Sequence, residues 1–497
     1  VGPPVGDGRS EAHLVPGLLS QLTWDQIWWY FFLGRVLLFP FSIASMYIAQ
    51  RWAIELTGKM LPGSIVSLLW TFSPITITNG AMLTPDMGAT FFGLLFTYFL
   101  WRVNRTDPPN FRQSLLLGVV LGLAILSKFS LLALYPVTTL YFVANSVRDR
   151  RYLGSLVLVI VTSIGIINLL YFDFIPCNLE SLPLVSETFG KLKSIGFINC
   201  IPICFPDEMM LGIDRQKLDF ETRFWSFFCG NWRKGGWYEF YAVGLLVKTP
   251  IVAISLFAFG VPVLLRNCLF NRFVFLQRTF FCLVFIPFVF FMFISSQIGF
   301  SHHLRYVLPI YPFLVITAGC GGVAFQELIY LIREKWTRQL TACVLGSLML
   351  FNATETVMII PHTQTYFNQI AGGPNNGHWY LINSDVDWGQ DVYFLKEWLK
   401  RNDDKEVRGI ALAVLFGNLI VQTNAMPKRL ESGYYIISVD RLHDRDGKFQ
   451  QFVFMEPCET IGGALRVYYL KPSLASPKKG KINEMHETVP QLKALDL

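Results

Sequence analysis

Asp86 is the residue from which chemistry can first be argued. It stands in Thr84-Pro85-Asp86, where two apolar runs, 63–83 and 88–101, meet with almost no spacer. A carboxylate held mid-helix in lipid costs about 2.5–3.5 kcal/mol, so it is tolerated at a membrane–water boundary or in a wet cavity. Pro85 has no amide proton and suits the first turn of the second run as a helix. Asp86 then sits beside a helix N-terminus, whose partial positive charge favours the ionised carboxylate. The plain alternative is a helix-capping aspartate in a tight loop.

Other polar residues lie at comparable breaks. Lys128, in Leu-Ser-Lys-Phe between two apolar segments, can meet a phosphate at headgroup level or simply snorkel. Ser301-His302-His303-Leu304-Arg305-Tyr306 joins two more. Arg305 offers a planar fork of donors suited to phosphate or carboxylate, and His302 and His303 add titratable donors. Adjacent histidines do not share a helix face, and with no acid or cysteine in the link they are a poor metal-ligand set; the alternative is an interfacial polar turn. Lys248, in Val247-Lys-Thr-Pro250, faces a phosphate or snorkels. Asn383-Ser384-Asp385-Val386-Asp387-Trp388-Gly389-Gln390-Asp391 has acids spaced for a divalent cation but lacks the rest of an EF-hand loop, and a capping turn explains it equally well. Cys177, Cys200, Cys204 and Cys229 share one long polar stretch, and four cysteines allow three pairings. The glycosylation sequons at Asn104 and Asn352 fall on a cytoplasmic loop and within a span, and are discounted.

The elements that must position these groups are membrane helices. The 497 residues are 53% hydrophobic and 15% charged, with 44 Phe and a mean hydropathy of +0.42. That is too few charges for an ordinary soluble domain. Ten apolar spans are read at 27–49, 63–83, 88–101, 114–126, 130–147, 154–172, 240–265, 279–296, 306–325 and 340–360. The net charge of +7 is distributed as a topology signal, not as a nucleic-acid surface. Arg51/Lys59, Arg102–Arg112, Arg148–Arg151, Arg266–Arg278 and Arg333–Arg338 all fall on one face, taken as cytoplasmic. The opposite face then collects Asp86, Lys128, the 173–239 loop, the His302–Arg305 link and the C-terminal region. Arg35 and Glu355 are the evident charges within spans, and they could pair. The expected organisation is an extracytoplasmic segment 1–26, a transmembrane domain 27–360 that includes loop 173–239, and an extracytoplasmic domain 361–497. The last has a helix from Val392 to Leu399 and strands at 410–416, 434–439 and 465–470.

The order of motifs resembles a known superfamily. Arg35 in Leu-Gly-Arg-Val, Ser73-Pro74 followed by Thr84-Pro85-Asp86, and Gly122-Leu-Ala-Ile-Leu-Ser-Lys128 are similar to the polyprenyl-phosphate-sugar-dependent glycosyltransferases of the GT-C fold, which include the protein O-mannosyltransferases and the lipid A aminoarabinose transferases. Val247-Lys-Thr-Pro250, His303-Leu-Arg305-Tyr-Val-Leu-Pro309, Tyr366-Phe-Asn-Gln-Ile-Ala-Gly-Gly-Pro374 and Asp385-Val-Asp-Trp-Gly-Gln-Asp391 extend the likeness, the last two towards a bacterial branch.

The resemblance implies a mainly α, polytopic membrane bundle of GT-C type with an extracytoplasmic loop and a small α/β C-terminal domain. It implies a multi-pass protein of the bacterial inner membrane with its active site outside. The donor would be a polyprenyl-phosphate sugar and the acceptor a hydroxyl of a protein, lipid or glycan. No metal or other cofactor is implied. In such enzymes a carboxylate takes a proton from the acceptor, which attacks the anomeric carbon with inversion, while basic residues stabilise the departing phosphate. By position Asp86 matches the second family acid, which orients the acceptor. Lys128 and Arg305 match phosphate contacts, with His302, His303 and Lys248 secondary. The family's first span and its Asp-Glu loop have no counterpart; Ser10-Glu11-Ala12-His13 is a faint echo, so the base and one further span are expected upstream of Val1. A non-catalytic lipid-linked-sugar binder or transporter is the alternative.

Overall fold

A computed structural model describes residues 21–103, 108–174, 178–199, 202–269, 278–297, 299, 301, 303–330, 335–412, 426–427 and 430–471. His302, Cys177, Cys200, the Ser10–His13 segment and the 413–416 end of the expected third-domain strand lie outside these residues. The chain forms two compact units, 1–388 and 389–497.

The first unit is built from apolar helices: α1 (Trp24–Thr57), α2 (Met60–Thr71), α3 (Pro74–Ala81), α4 (Asp86–Val103), α5 (Phe111–Ser127), α6 (Leu134–Ser146) and α7 (Arg151–Tyr171). After the loop region come α9 (Phe240–Lys248), α10 (Ile251–Leu269), α11 (Ile286–Ser296), α12 (Tyr311–Tyr330) and α13 (Lys335–Ile359), with α8 (Asp207–Thr222) inside the loop. Among the described residues six helices are long and apolar enough to cross a membrane, and two bent pairs bring the number to eight. The spans expected at 88–101 and 114–126 are helices of 18 and 17 residues, a little short of the roughly 20 that cross hydrocarbon upright.

Both bent pairs are broken by proline, and both breaks are repaired by side chains. Helices α2 and α3 meet at 59°. Pro74 cannot donate to the Trp70 carbonyl, and the Thr76 hydroxyl does so instead at 2.5 Å. Asn352 and Thr356 of α13 donate to the Phe72 carbonyl at 2.7 and 2.8 Å. Helices α9 and α10 meet at 116°. Here Pro250 leaves the Leu246 carbonyl unpaired, and the buried Asn368 amide donates to both Leu246 and Thr249 carbonyls, at 2.6 and 2.8 Å. Irregular backbone at membrane depth survives where protein satisfies it in this way.

The core of this unit is aromatic and closely packed. Trp52 is fully buried against Tyr98, Trp101 and Phe313. Helices α10 and α12 approach so closely that a Cβ on Gly260 would lie 2.0 Å from the Thr317 carbonyl and one on Gly321 1.9 Å from that of Leu256; small residues permit this contact. Arg35 is exposed, and Glu355 accepts from Tyr366 and Gln369 at 2.8 Å each. The two therefore do not act as a buried pair.

The 173–239 region folds as short helices and a hairpin, β1 (Trp225–Phe228) with β2 (Asn231–Lys234). Buried Asp214 accepts from the Val185 and Ser186 amides at 2.7 and 3.0 Å, which ties α8 to the preceding chain. Cys204 and Cys229 are free thiols. The segment 363–385, grouped by composition with the C-terminal region, belongs to the first compact unit, anchored there by Asn368 and Lys248.

The second unit carries α14 (Val392–Arg401) over a four-stranded sheet of β3 (Val407–Ala411), β4 (Gly433–Ser438), β5 (Glu459–Ile461) and β6 (Leu465–Leu470), in the order β3-β4-β6-β5. β3 and β4 are parallel and the other pairs antiparallel. Leu395 and Trp398 of α14 pack on Ile410, Ile436 and Val467. Asp391 accepts from the Ala464 amide at 2.9 Å.

Candidate functional site

Three chain breaks converge on one carboxylate. The tight Met82–Pro85 turn starts α4 at Asp86, α5 ends at Lys128, and the link after α11 enters a 3-10 turn, Leu304–Ile310, that carries Arg305. Asp86 is 1% exposed. Its Oδ1 is ion-paired with Lys128 Nζ, and Arg305 Nε lies 3.4 Å from its Oδ2. Lys128 Nζ also sits 4.4 Å from the centre of the Tyr306 ring. The Arg305 guanidinium lies 4.2 Å from the ring of Trp388.

The balance of this cluster is what gives it chemical capacity. One carboxylate is shared between two cations, so it carries a net positive charge. The Arg305 Nη1 atom is buried and has no hydrogen-bond partner among the described residues. An uncompensated buried donor on a cation costs free energy that an incoming anion recovers. A guanidinium fork presented in this way is suited to phosphate or carboxylate oxygens.

The other expected residues are placed differently. His303 Nδ1 is 2.5 Å from Ser384 Oγ, and its ring packs edge-on against Tyr306. It buttresses the turn that holds Arg305. Lys248 is buried, and its ammonium donates to the Gln364 and Asp385 carbonyls at 2.7 Å each while lying over the Phe367 ring. Two of its three donors go to backbone.

Asp385 is the residue that sequence reasoning left as a capping or cation-binding acid. It is 7% exposed. Its Oδ1 accepts from the Leu304 amide at 2.8 Å, next to Arg305. Burial pushes its carboxyl well above the usual range, opposed by the Leu304 hydrogen bond and the charges of Lys248 and Arg305. A cleft of about 50 Å³ runs between α3, the Leu304–Ile310 turn and the 363–385 segment, lined by Thr78, Asn79, Arg305, Gln364, Ser384 and Asp385 among others. The acid-rich spacing around residue 385 was visible in sequence, but its approach to Arg305 across 80 residues was not.

Residues 25–171 match the family described as dolichyl-phosphate-mannose-protein mannosyltransferase. This stretch is mannosyltransferase-like. It contains Asp86 and Lys128, and Arg305 lies beyond it. No curated protein matches the chain by sequence. Among solved structures, ArnT from Cupriavidus metallidurans bound to undecaprenyl phosphate aligns at 13% identity and a TM-score of 0.42, over 90% of this chain and 85% of that one. Its apo form gives 13% and 0.40, over 89% and 84%. The Archaeoglobus fulgidus oligosaccharyltransferase tethered to an acceptor peptide gives 13% and 0.41, over 80% and 51%.

Proposed function

We propose that this chain is an integral-membrane glycosyltransferase that moves a sugar from a polyprenyl-phosphate donor to a hydroxyl acceptor, on the extracytoplasmic face of a bacterial inner membrane. The observation that carries the reading is the buried Asp86 held between Lys128 and Arg305, with one Arg305 donor unpaired. The mannosyltransferase match over 25–171 supports the donor class.

In this reading the donor phosphate docks on Lys128 and Arg305 and takes over part of the charge now met by Asp86. Asp86, freed from full ion pairing, orients the acceptor hydroxyl. The acceptor oxygen attacks the anomeric carbon from the side opposite the phosphate, the carbon–oxygen bond to phosphate breaks, and configuration inverts. Charge building on the leaving phosphate is met by the two cations, already fixed in place. The acceptor proton passes to a carboxylate base, which in the family it resembles lies in the acidic loop after that family's first span.

The test is sugar transfer by the full-length protein reconstituted in liposomes with a radiolabelled polyprenyl-phosphate sugar and a hydroxyl acceptor. Product formation that Asp86→Asn removes, with the variant still folded, is the expected result. Full activity in Asp86→Asn overturns the role given to Asp86. Lipid binding with no product from any donor favours a lipid-linked-sugar binder instead.

A further inference from the structure

We infer that the cleft beside Arg305 receives the sugar of the donor, and that Asp385 holds it by accepting a hydrogen bond from a sugar hydroxyl. This inference rests on the lipid-phosphate reading above and adds to it the residue and the chemistry of the glycosyl end. Asp385 is immobilised on two sides: its Oδ1 by the Leu304 amide and its carbonyl by Lys248. Its Oδ2 is buried and has no partner among the described residues, in a residue that lines the cleft. A fixed, unsolvated acceptor of this kind calls for a donor.

Three donors on the cleft wall are committed elsewhere, and the unpaired Arg305 Nη1 is the donor assigned above to the phosphate. Thr78 Oγ1 donates to Thr363 Oγ1 at 2.8 Å, Asn79 Nδ2 to the Ile75 carbonyl at 2.8 Å, and Gln364 Nε2 to the Ser384 carbonyl. With Arg305 engaged by the phosphate, a ligand hydroxyl supplies the donor that Asp385 Oδ2 lacks. A phosphate would be repelled by Asp385 and goes to the cationic end, at Arg305 and Lys128. A hydroxylated group attached to that phosphate would reach along the cleft. Pro74, Ile75, Met82 and Leu308 supply apolar surface on its walls. Apolar walls with a few fixed polar groups match a sugar ring, which has carbon faces and hydroxyl edges. Burial already raises the Asp385 carboxyl, and a hydroxyl donor favours its charged form.

The full-length protein in detergent is titrated with undecaprenyl phosphate and with its mannosyl, glucosyl and galactosyl phosphodiesters. Asp385→Asn retains an oxygen for the Leu304 amide but replaces the free acceptor with a donor. The expected result is about a tenfold loss of affinity for the best-bound glycosylated lipid, with undecaprenyl phosphate binding unchanged. Asn79→Leu narrows the cleft without altering a charge and is expected to show the same selective loss, which carries the test if Asp385→Asn does not fold. Equal losses for both kinds of lipid, or none, overturn the sugar subsite while leaving the lipid-phosphate reading standing. Failure of the unaltered protein to bind undecaprenyl phosphate overturns both.

Discussion

Lys128 and Lys248 look alike in sequence, each at the end of an apolar helix just before a break, and both are largely shielded from solvent in the structure. Their partners separate them. Lys128 faces a side-chain carboxylate that it shares with Arg305. Lys248 faces two backbone carbonyls and an aromatic ring. A carboxylate can be exchanged for a phosphate, since both are oxyanions; a carbonyl that belongs to the fold cannot leave without local unfolding. Burial of a cation thus says little about ligand binding until its partners are known.

The comparison is most severely tested at Asp86. Asp86→Asn is expected to lower transfer by about 10²-fold or more, as when a group that orients a substrate is lost. It also leaves two largely shielded cations without their counter-charge, so thermal stability should fall and should recover on adding polyprenyl phosphate. Recovery with inorganic phosphate at equal concentration would show that the anion alone is enough. Next comes Lys248→Met, which deprives the Gln364 and Asp385 carbonyls of a donor. We expect a loss of about 2–4 kcal/mol in unfolding free energy, at about 1–3 kcal/mol per orphaned group, with lipid-phosphate affinity in the surviving folded protein little changed. A large affinity loss with normal stability would erase the distinction between the two lysines.

Lys128→Gln is the converse. It should weaken polyprenyl phosphate binding about 10- to 100-fold, as expected for a lost charged hydrogen bond, and it relieves one of two like charges near Arg305. Arg305→Lys should give a smaller loss, because an ammonium keeps the charge but not the planar fork. Binding titrations in liposomes of fixed composition would rank all three.

The effect furthest from the site concerns a buried basic group in the second unit. Burial pushes the His443 imidazole down to about 4 from 6.5. A neutral histidine in the folded state, against one that protonates when unfolded, contributes stability that is fully present above pH 6.5. That contribution is lost as pH falls towards 4. Protection factors of the β4 amides, taken against the intrinsic exchange rate at each pH, should therefore fall over this window by an amount equivalent to about 3 kcal/mol at most, and His443→Gln should flatten the dependence.

The membrane class, the helix positions and the importance of the breaks were legible from composition and hydropathy, because burial in lipid imposes long apolar runs and punishes interruptions. Thr84-Pro85-Asp86, Lys128 and Arg305 stand out by the same logic: polar residues interrupting apolar sequence need a reason. The mixed sheet after residue 389 was partly visible as β-branched and aromatic runs at β4 and β6, whereas the three-residue β5 is too short to leave a periodic signal.

Tertiary structure alone decided which polar residues meet. Asp86, Lys128 and Arg305 are separated by 42 residues and more, and no local pattern brings them to one carboxylate. Asn368 reads as a loop amide, and only the bend at Pro250 creates the carbonyls it satisfies. Lys248 and Lys128 are equivalent as letters, and the fold made one a latch and the other an anion contact. The sequence by itself determined where the chain must break, because proline and charge disrupt apolar helices wherever they occur. What lies across each break depends on long-range packing, and that is set by the whole bundle at once.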